Sequence, residues 1–203
     1  MTDEGDKARD DGGDGRRGLI AALGAYGIWG LLPLYFRALG PVPALEVVSH
    51  RILWSVVLLL VILHFRRGYA ALGRVLTSRR LLLPLVASAA LIAANWLIYI
   101  WAVQHGHVIG SSLGYFLIPM LNVLLGFAVL GERLTRAQWI AVALAGAGVA
   151  VRAAGALSTL WISLGLALSF GFYGLIRKVI PTGPMVGLAA ETILLAPFAA
   201  AGI

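Results

Sequence analysis

GLIAALGAYG at residues 18–27 returns as GLALSFGFYG at residues 165–174. The two copies begin 147 positions apart and share Gly, Leu, Gly, Tyr and Gly at the same places. Both copies lie in long apolar runs. Whether the match reflects a duplicated half of the protein therefore depends on what those runs form.

The composition is that of a membrane protein. Hydrophobic residues make up 60% of the 203-residue chain, charged residues make up 12%, and the mean hydropathy is +0.91. A soluble domain carries about 25% charged residues, so this chain has too few to cover a water-facing surface. The pI near 10.4 comes from short basic clusters between apolar runs, which is typical of membrane topology signals rather than of nucleic-acid binding. The absence of cysteine excludes disulfides, thiolate metal sites and cysteine nucleophiles.

Seven apolar runs are long enough to cross a bilayer, which takes about 20 helical residues. Backbone groups inside lipid must be satisfied internally, so these runs are predicted to be helices. Residues 1–17 hold six of the nine acidic residues and are rich in glycine, which predicts a disordered cytoplasmic tail. The predicted spans are 18–38, 47–65, 81–103, 111–130, 138–154, 157–176 and 185–203.

The basic residues predict the orientation. They cluster before the first span and after the second, fourth and sixth spans, so all clusters fall on one side of the membrane. Since basic residues are retained on the cytoplasmic side, the amino terminus is predicted to be cytoplasmic. The clusters are Arg16 and Arg17; Arg66, Arg67, Arg74, Arg79 and Arg80; Arg133 and Arg136; and Arg177 and Lys178.

The two copies of the repeated stretch lie in spans one and six. Because five is an odd number of spans, the second copy enters the membrane from the opposite side, as in the inverted repeats of secondary transporters. Glu46 and Glu191, near the starts of spans two and seven, are a weaker second match. The sequence therefore predicts an all-α polytopic bundle of inverted five-helix repeats, with about seven of ten helices present. Residues 18–154 would form the first repeat, and residues 155–203 would begin the second.

Four stretches carry a family resemblance: WGLLPLYFRALGPVPALEVVSHRILWS at 29–55, NWLIYIWAVQHGHVIGSSLGYFLIPMLNVLLG at 95–126, GERLTRAQWIAVALAGAGV at 131–149 and GLALSFGFYGLIRK at 165–178. They resemble the RarD-type (chloramphenicol-sensitivity protein) permeases of the EamA family, in the drug/metabolite transporter superfamily. The resemblance implies a ten-helix transporter in the bacterial inner membrane with a cavity between two inverted repeats. The chain departs from that pattern by lacking the final three helices, and by having Leu-Ile-Pro where relatives have an Asn-Pro pair.

Ionisable residues inside spans cost about 2.5–3.5 kcal/mol on insertion scales, so they are candidate functional groups. In span two, Glu46 could hold His50 or Arg51 in a buried ion pair, since residues four apart share a helix face. This group would form a substrate or proton site near the outer end of the span. The alternative is an interfacial ion pair that only positions the helix, with Arg51 reaching the headgroups. Glu191 in span seven is a candidate proton-coupling group.

The remaining candidates are polar, aromatic or proline residues within spans. An amide or tyrosine there could contact a substrate, but it could equally stabilise helix packing. A proline removes a helix hydrogen bond and kinks the helix, which could expose carbonyls to a cavity or simply shape the packing. The candidates for substrate contact are Trp29, Asn95, Tyr99, Tyr115 and Asn122, and those for helix kinks are Pro33 and Pro119.

The sequence predicts a secondary transporter, a permease or exporter of small organic molecules that works by alternating access. Its predicted partners are an unidentified small-molecule substrate and the lipid bilayer, with proton coupling; no cofactor, metal or nucleic acid is predicted. Two histidines, His105 and His107, make only a weak metal site. Three alternatives stay open: an inactive fragment, a half-transporter that pairs as a homodimer or with a second-half chain, and an intramembrane enzyme that uses Glu46 with a histidine.

Overall fold

The structure, a computed structural model, describes the backbone of residues 3–154 and 157–203 and the side chains of residues 18–151 and 158–203. The described backbone is helical without any strand, which confirms the predicted all-α class. The chain divides into two units, Met1–Leu39 and Gly40–Ile203. The helices are α1 Asp3–Ala38, α2 Ala44–Phe65, α3 Tyr69–Thr77, α4 Arg79–Gln104, α5 Val108–Leu130, α6 Arg136–Ala154, α7 Leu160–Val179 and α8 Pro184–Ala201, with a 3-10 turn at Leu157–Thr159.

Six helices among the described residues are long and apolar enough to cross a membrane. Each coincides with a predicted span, and their ends differ from the prediction by at most three residues. Hydropathy places the spans well because the apolar length needed to cross lipid is a local property of the chain. The six are Gly18–Ala38, Ala44–Phe65, Arg79–Gln104, Val108–Leu130, Leu160–Val179 and Pro184–Ala201.

The amino-terminal unit differs from the prediction. Helix α1 begins at Asp3, whereas the composition of residues 1–17 predicts disorder; residues 1–2 lie outside the described residues. Once the apolar run has formed a helix, each further residue adds one backbone hydrogen bond. The helix can therefore extend from the apolar run toward the amino terminus without side-chain contacts to stabilise it. The predicted boundary between the repeats, before residue 155, falls on residues 155–156, which also lie outside the described residues.

The remaining predicted span, the fifth, at 138–154, corresponds to α6, which is too short in its described apolar part to qualify by length and hydropathy. The directions of its neighbours show that it crosses. The starts of α5 and α7 are in contact, because Ser163 Oγ donates to Gly110 O at 2.7 Å. The ends of the same two helices also lie together, because Lys178 pairs with Glu132 there. Because α5 and α7 are parallel, the chain must return between them. Helix α6 has 19 residues, or about 28 Å of helix, which nearly matches a 30 Å bilayer core.

Helices α2 and α8, the second and seventh spans, run in opposite directions. Ser49 near the start of α2 lies beside Gly202 just after α8, with Ser49 Oγ 2.9 Å from where a Cβ on Gly202 would be. Leu63 near the end of α2 shares a buried cluster with Ala189 and Ala190 near the start of α8. These two spans are five apart, so they have the opposed directions that an inverted repeat requires.

The basic segments of the larger unit gather at one end of the bundle, here called the basic end. Its buried cluster combines the end of α2, the start of α4, the start of α8 and the short helix α3. The sequence prediction left residues 66–80 as a loop and missed α3, which buries Leu72 and Val75, three positions apart on one face. At the opposite end of the bundle, Gln104 Nε2 donates to Val42 O at 2.9 Å.

Small residues allow α5 and α7 to approach closely. A Cβ on Gly114 would lie 2.9 Å from Leu166 Cβ and 3.0 Å from Ser163 O, both on α7. Small residues at helix interfaces are the usual way in which membrane helices pack, because lipid supplies no hydrophobic drive for association. The glycines therefore position α7, which carries the second copy of the repeated stretch, against α5.

Candidate functional site

Four side chains from α4, α7 and α8 form a buried polar group, here called the Glu191 cluster: Ser88, Tyr173, Arg177 and Glu191. Glu191 is 0% exposed, and its Oε1 accepts a hydrogen bond from Ser88 Oγ at 2.7 Å. Tyr173 OH donates to Glu191 Oε2 at 3.3 Å, and Arg177 Nε lies 3.7 Å from Glu191 Oε1. Both carboxylate oxygens therefore have partners, supplied by two other helices.

The guanidinium of Arg177 is closely surrounded by hydrogen-bond acceptors and by the backbone of α8. Its Nη1 donates to Thr182 Oγ1 at 3.0 Å, and its Nη2 donates to Gly183 O at 3.4 Å. Any Cβ on Gly187 would collide with the guanidinium, because all its nearest atoms belong to Arg177. Gly187 lies one turn of α8 before Glu191, so a glycine at this position makes room for the arginine beside its carboxylate partner.

A second group, the Arg51 cluster, joins α2, α4 and α5 through Arg51, Trp96, Tyr99 and Tyr115. Arg51 Cζ lies 4.4 Å from the centroid of the Trp96 ring, a cation–π contact. Tyr99 and Tyr115 meet edge to face, with ring centroids 5.4 Å apart, and both lie within electrostatic range of Arg51. The structure thus brings together three of the residues predicted for substrate contact and adds Trp96.

The predicted ion pairs of Glu46 are wrong. Among the described side chains, Glu46 pairs with neither His50 nor Arg51; His50 is exposed, and Arg51 lies over Trp96 instead. Helix geometry explains why Arg51 is out of reach. Five residues at about 100° each rotate the side chain by about 140° relative to Glu46, onto a different face of α2.

Asn95 connects α4 to α7. It is 1% exposed, and its Nδ2 donates to Leu166 O at 3.0 Å and to Ser169 Oγ at 2.9 Å. A buried amide with two partners on a neighbouring helix matches the packing role that the sequence left open as an alternative to substrate contact.

The prolines do not interrupt their helices. Helix α5 is continuous through Pro119, and α1 is continuous through Pro33, and the kinks expected at these prolines stay a prediction. Asn122, one turn beyond Pro119, lines a cavity of about 200 Å³ between α5 and α7, together with Gly171, Gly174 and Lys178. In the smaller unit, Trp29 contacts Tyr26 of the same helix, with ring centroids 5.6 Å apart.

The sequence prediction missed Ser88, Trp96, Tyr173 and Arg177 as site residues. Tyr173 and Arg177 did stand out in the sequence, but each was interpreted as a feature other than a site residue. Tyr173 belongs to the repeated stretch and was taken only as a repeat marker, and Arg177 was counted as a topology signal. Ser88 and Trp96 gave no signal of their own, because serine and tryptophan are common in membrane helices.

The histidine pair near the start of α5 lies among aromatic rings. Trp101 stacks on His105 with centroids 4.4 Å apart and contacts His107 with centroids 5.7 Å apart. Within the part of the chain that the structure describes, no three His, Asp or Glu side chains gather closely enough to hold a metal ion. The arrangement is that of aromatic packing at the end of the bundle opposite to the basic end.

Comparisons with known proteins agree with one another. The model of the EamA-like transporter family matches residues 16–153. The chain is 48% identical over 188 residues to an uncharacterized transporter of Vibrio cholerae, covering 92% of the chain and 62% of that relative. It is 44% identical over 185 residues to protein RarD of Escherichia coli, covering 91% of the chain and 62% of that protein. The chain thus spans less than two thirds of the length of these relatives. No solved structure matches it.

Proposed function

We propose that this chain, which belongs to the EamA-like transporter family, forms part of a secondary transporter of small organic molecules in the bacterial inner membrane. The observation that carries the proposal is the family match over residues 16–153, together with 48% identity to an uncharacterized transporter and 44% identity to protein RarD. Six described helices that are long and apolar enough to cross a membrane, with polar clusters between some of them, are consistent with such a function, since a carrier needs a polar path through lipid.

The proposed mechanism is alternating access. In inverted-repeat carriers, one repeat moves against the other around a site near the middle of the membrane. The opposed directions of α2 and α8 support this mechanism, because these helices occupy equivalent places in the two proposed repeats. Substrate binding drives the cycle only where the inward and outward states bind the substrate with different affinity.

Glu191 is the proposed proton-coupling group. It is fully buried within a span, and it holds Arg177 as well as two hydroxyl groups. Protonation would remove the charge that holds Arg177 and would free α7 from α8. In this proposal, proton uptake at Glu191 switches the contact between these two helices.

The transport test uses vesicles that contain the complete protein. Ligands are first found by thermal stabilisation of the purified protein across metabolite and drug libraries, and uptake of each ligand is then measured in protein-containing and empty vesicles. We expect saturable uptake, driven by an imposed proton gradient, that Glu191→Gln uncouples from the gradient. Equal uptake of every stabilising ligand in the two kinds of vesicle contradicts the transporter proposal.

The proposed orientation places the basic end in the cytoplasm, with the amino terminus on the same side. The chain has no native cysteine, so single cysteines can be labelled without background. Gly73→Cys on α3 reports the basic end, and Pro41→Cys before α2 reports the opposite end. A membrane-impermeant maleimide should label Pro41→Cys in intact cells and Gly73→Cys only after permeabilisation. The reverse pattern contradicts the proposed orientation.

A further inference from the structure

We propose that the Arg51 cluster binds an organic anion whose carboxylate lies against Arg51 and whose apolar part lies among Trp96, Tyr99 and Tyr115. The inference rests on the proposed transporter function and specifies the chemical class of its substrate.

Arg51 lies inside the membrane-spanning part of the bundle. Arg51 and Tyr115 are each the eighth residue of their helices, and Trp96 lies eight residues before the end of α4. At about 1.5 Å per residue, all three are about 11 Å in from the end of the bundle that is opposite to the basic end. A cation at such depth needs compensation, because insertion of an arginine into a helix costs about 2.5–3.5 kcal/mol.

The described side chains offer Arg51 no counter-ion. Outside the amino-terminal tail the sequence has three acidic residues. Glu191 pairs with Arg177, Glu132 pairs with Lys178, and Glu46 lies on a different face of α2 from Arg51. Glu191 and Glu132 therefore each have a basic partner, and Glu46 is out of reach, so no acid among the described side chains balances the charge of Arg51.

The hydrogen-bond donors of Arg51 are also open. No hydrogen bond from Arg51 to a described oxygen is present, and the contact with Trp96 engages the charge without supplying an oxygen acceptor. Among the described residues, no buried side-chain nitrogen or oxygen lacks a partner, so the guanidinium nitrogens must be accessible. A planar guanidinium presents its N–H groups as a fork that fits the two oxygens of a carboxylate.

The surrounding rings suit the apolar part of such an anion. Trp96, Tyr99 and Tyr115 provide ring surface on two helices, and Tyr115 is 40% exposed, which leaves one side of the cluster accessible. The Tyr115 hydroxyl can add a hydrogen bond to a carboxylate. One arginine balances one negative charge, so a monocarboxylate fits this site better than a phosphate dianion, whose second charge would stay uncompensated at membrane depth.

The test measures equilibrium binding to the complete protein in an uncharged detergent. The probes are benzoate, phenylacetate and indole-3-acetate, each compared with its primary amide, which keeps the shape and removes the charge. We expect at least one carboxylate to bind at least tenfold more tightly than its amide. Arg51→Gln should weaken that binding at least tenfold, whereas Arg74→Gln on α3, which removes the same charge at an exposed position, should leave it unchanged.

Three outcomes would overturn the proposal: no carboxylate binds, a carboxylate and its amide bind equally, or Arg51→Gln binds like the unaltered protein. A further arm addresses lipid phosphate. The thermal stability of the protein is compared in phosphatidylglycerol and in phosphatidylcholine. The substrate site is refuted, and Arg51 is a lipid anchor, if three results coincide: phosphatidylglycerol stabilises the protein more, Arg51→Gln removes this difference while Arg74→Gln does not, and no carboxylate binds. Vesicle uptake of another ligand in Arg51→Gln would then show that the transporter function stands without this site, so the two proposals fail separately.

Discussion

Arg177 and Arg51 both lie in the helix bundle, and their surroundings are opposite. Arg177 at the end of α7 faces the Glu191 carboxylate and donates to a hydroxyl and a carbonyl, with Gly187 leaving room for it. Arg51 on α2 lies over the Trp96 ring and has neither an ion pair nor a hydrogen bond among the described residues. The same side chain is fully partnered in one region and open in the other.

The difference separates a structural charge from a binding charge. A buried pair whose lone pairs and N–H groups are satisfied holds helices in place, and removing one partner leaves the other charge buried without compensation. A charge without a counter-ion in the protein raises the free energy of the folded protein in the membrane. Such a charge suits a binding site, because a ligand can supply the counter-ion.

The largest effect should come from breaking the partnered region. Arg177→Leu leaves Glu191 buried without its cation, so we expect the free energy of unfolding to fall by about 3–5 kcal/mol. The measurement is the unfolding transition in mixed micelles with increasing dodecyl sulfate. The double variant Arg177→Leu/Glu191→Leu removes both charges and should recover most of the loss. Equal stability of the single and double variants would show that the pair contributes nothing as a unit.

A smaller effect should follow from filling the space beside Arg177. Gly187→Ala places a methyl group where the guanidinium lies, so Arg177 must move from its partners, and we expect a loss of about 1–3 kcal/mol. Gly73→Ala on α3 is the matched control, since a Cβ there has nothing within 4 Å and alanine favours helix. If both variants unfold at the same denaturant concentration, Arg177 does not need the space at Gly187.

Helix α4 supports both regions, with Ser88 in one cluster and Trp96 in the other. Asn95→Leu removes the two hydrogen bonds that connect α4 to α7 while keeping a similar volume. Interhelical hydrogen bonds in membranes contribute about 0.6 kcal/mol on average and at most about 1.7, so we expect a loss of about 1 kcal/mol. Asn122→Leu, at an exposed position beside the cavity, serves as the control. A stability loss as large for Asn122→Leu as for Asn95→Leu would contradict the packing role of Asn95.

How far the sequence alone predicts this molecule depends on the range of the interaction involved. The spans were predicted to within three residues, because their apolar length is local. The partner of Arg177 was missed, because Glu191 lies on another helix and the apolar pattern of α7 carries no information about it. The expected pair between Glu46 and Arg51 failed for a geometric reason that was available in advance: five residues along a helix do not share a face.

The smallest expected change in the free energy of unfolding is that of an Arg51 variant. Its sign is informative, because loss of a structural charge destabilises the protein and loss of a binding charge does not. Arg51→Gln loses a cation–π contact, worth about 2 kcal/mol when desolvated, and removes an uncompensated charge at membrane depth, which costs about 2.5–3.5 kcal/mol. We therefore expect the free energy of unfolding in the same micelle assay to stay within about 0.5 kcal/mol or to rise, as is common when a functional residue is replaced. Trp96→Leu keeps the charge and removes the ring, so it should be less stable than Arg51→Gln. A loss for Arg51→Gln as large as that for Arg177→Leu would make both arginines structural, and the difference between the two regions would no longer identify a binding site.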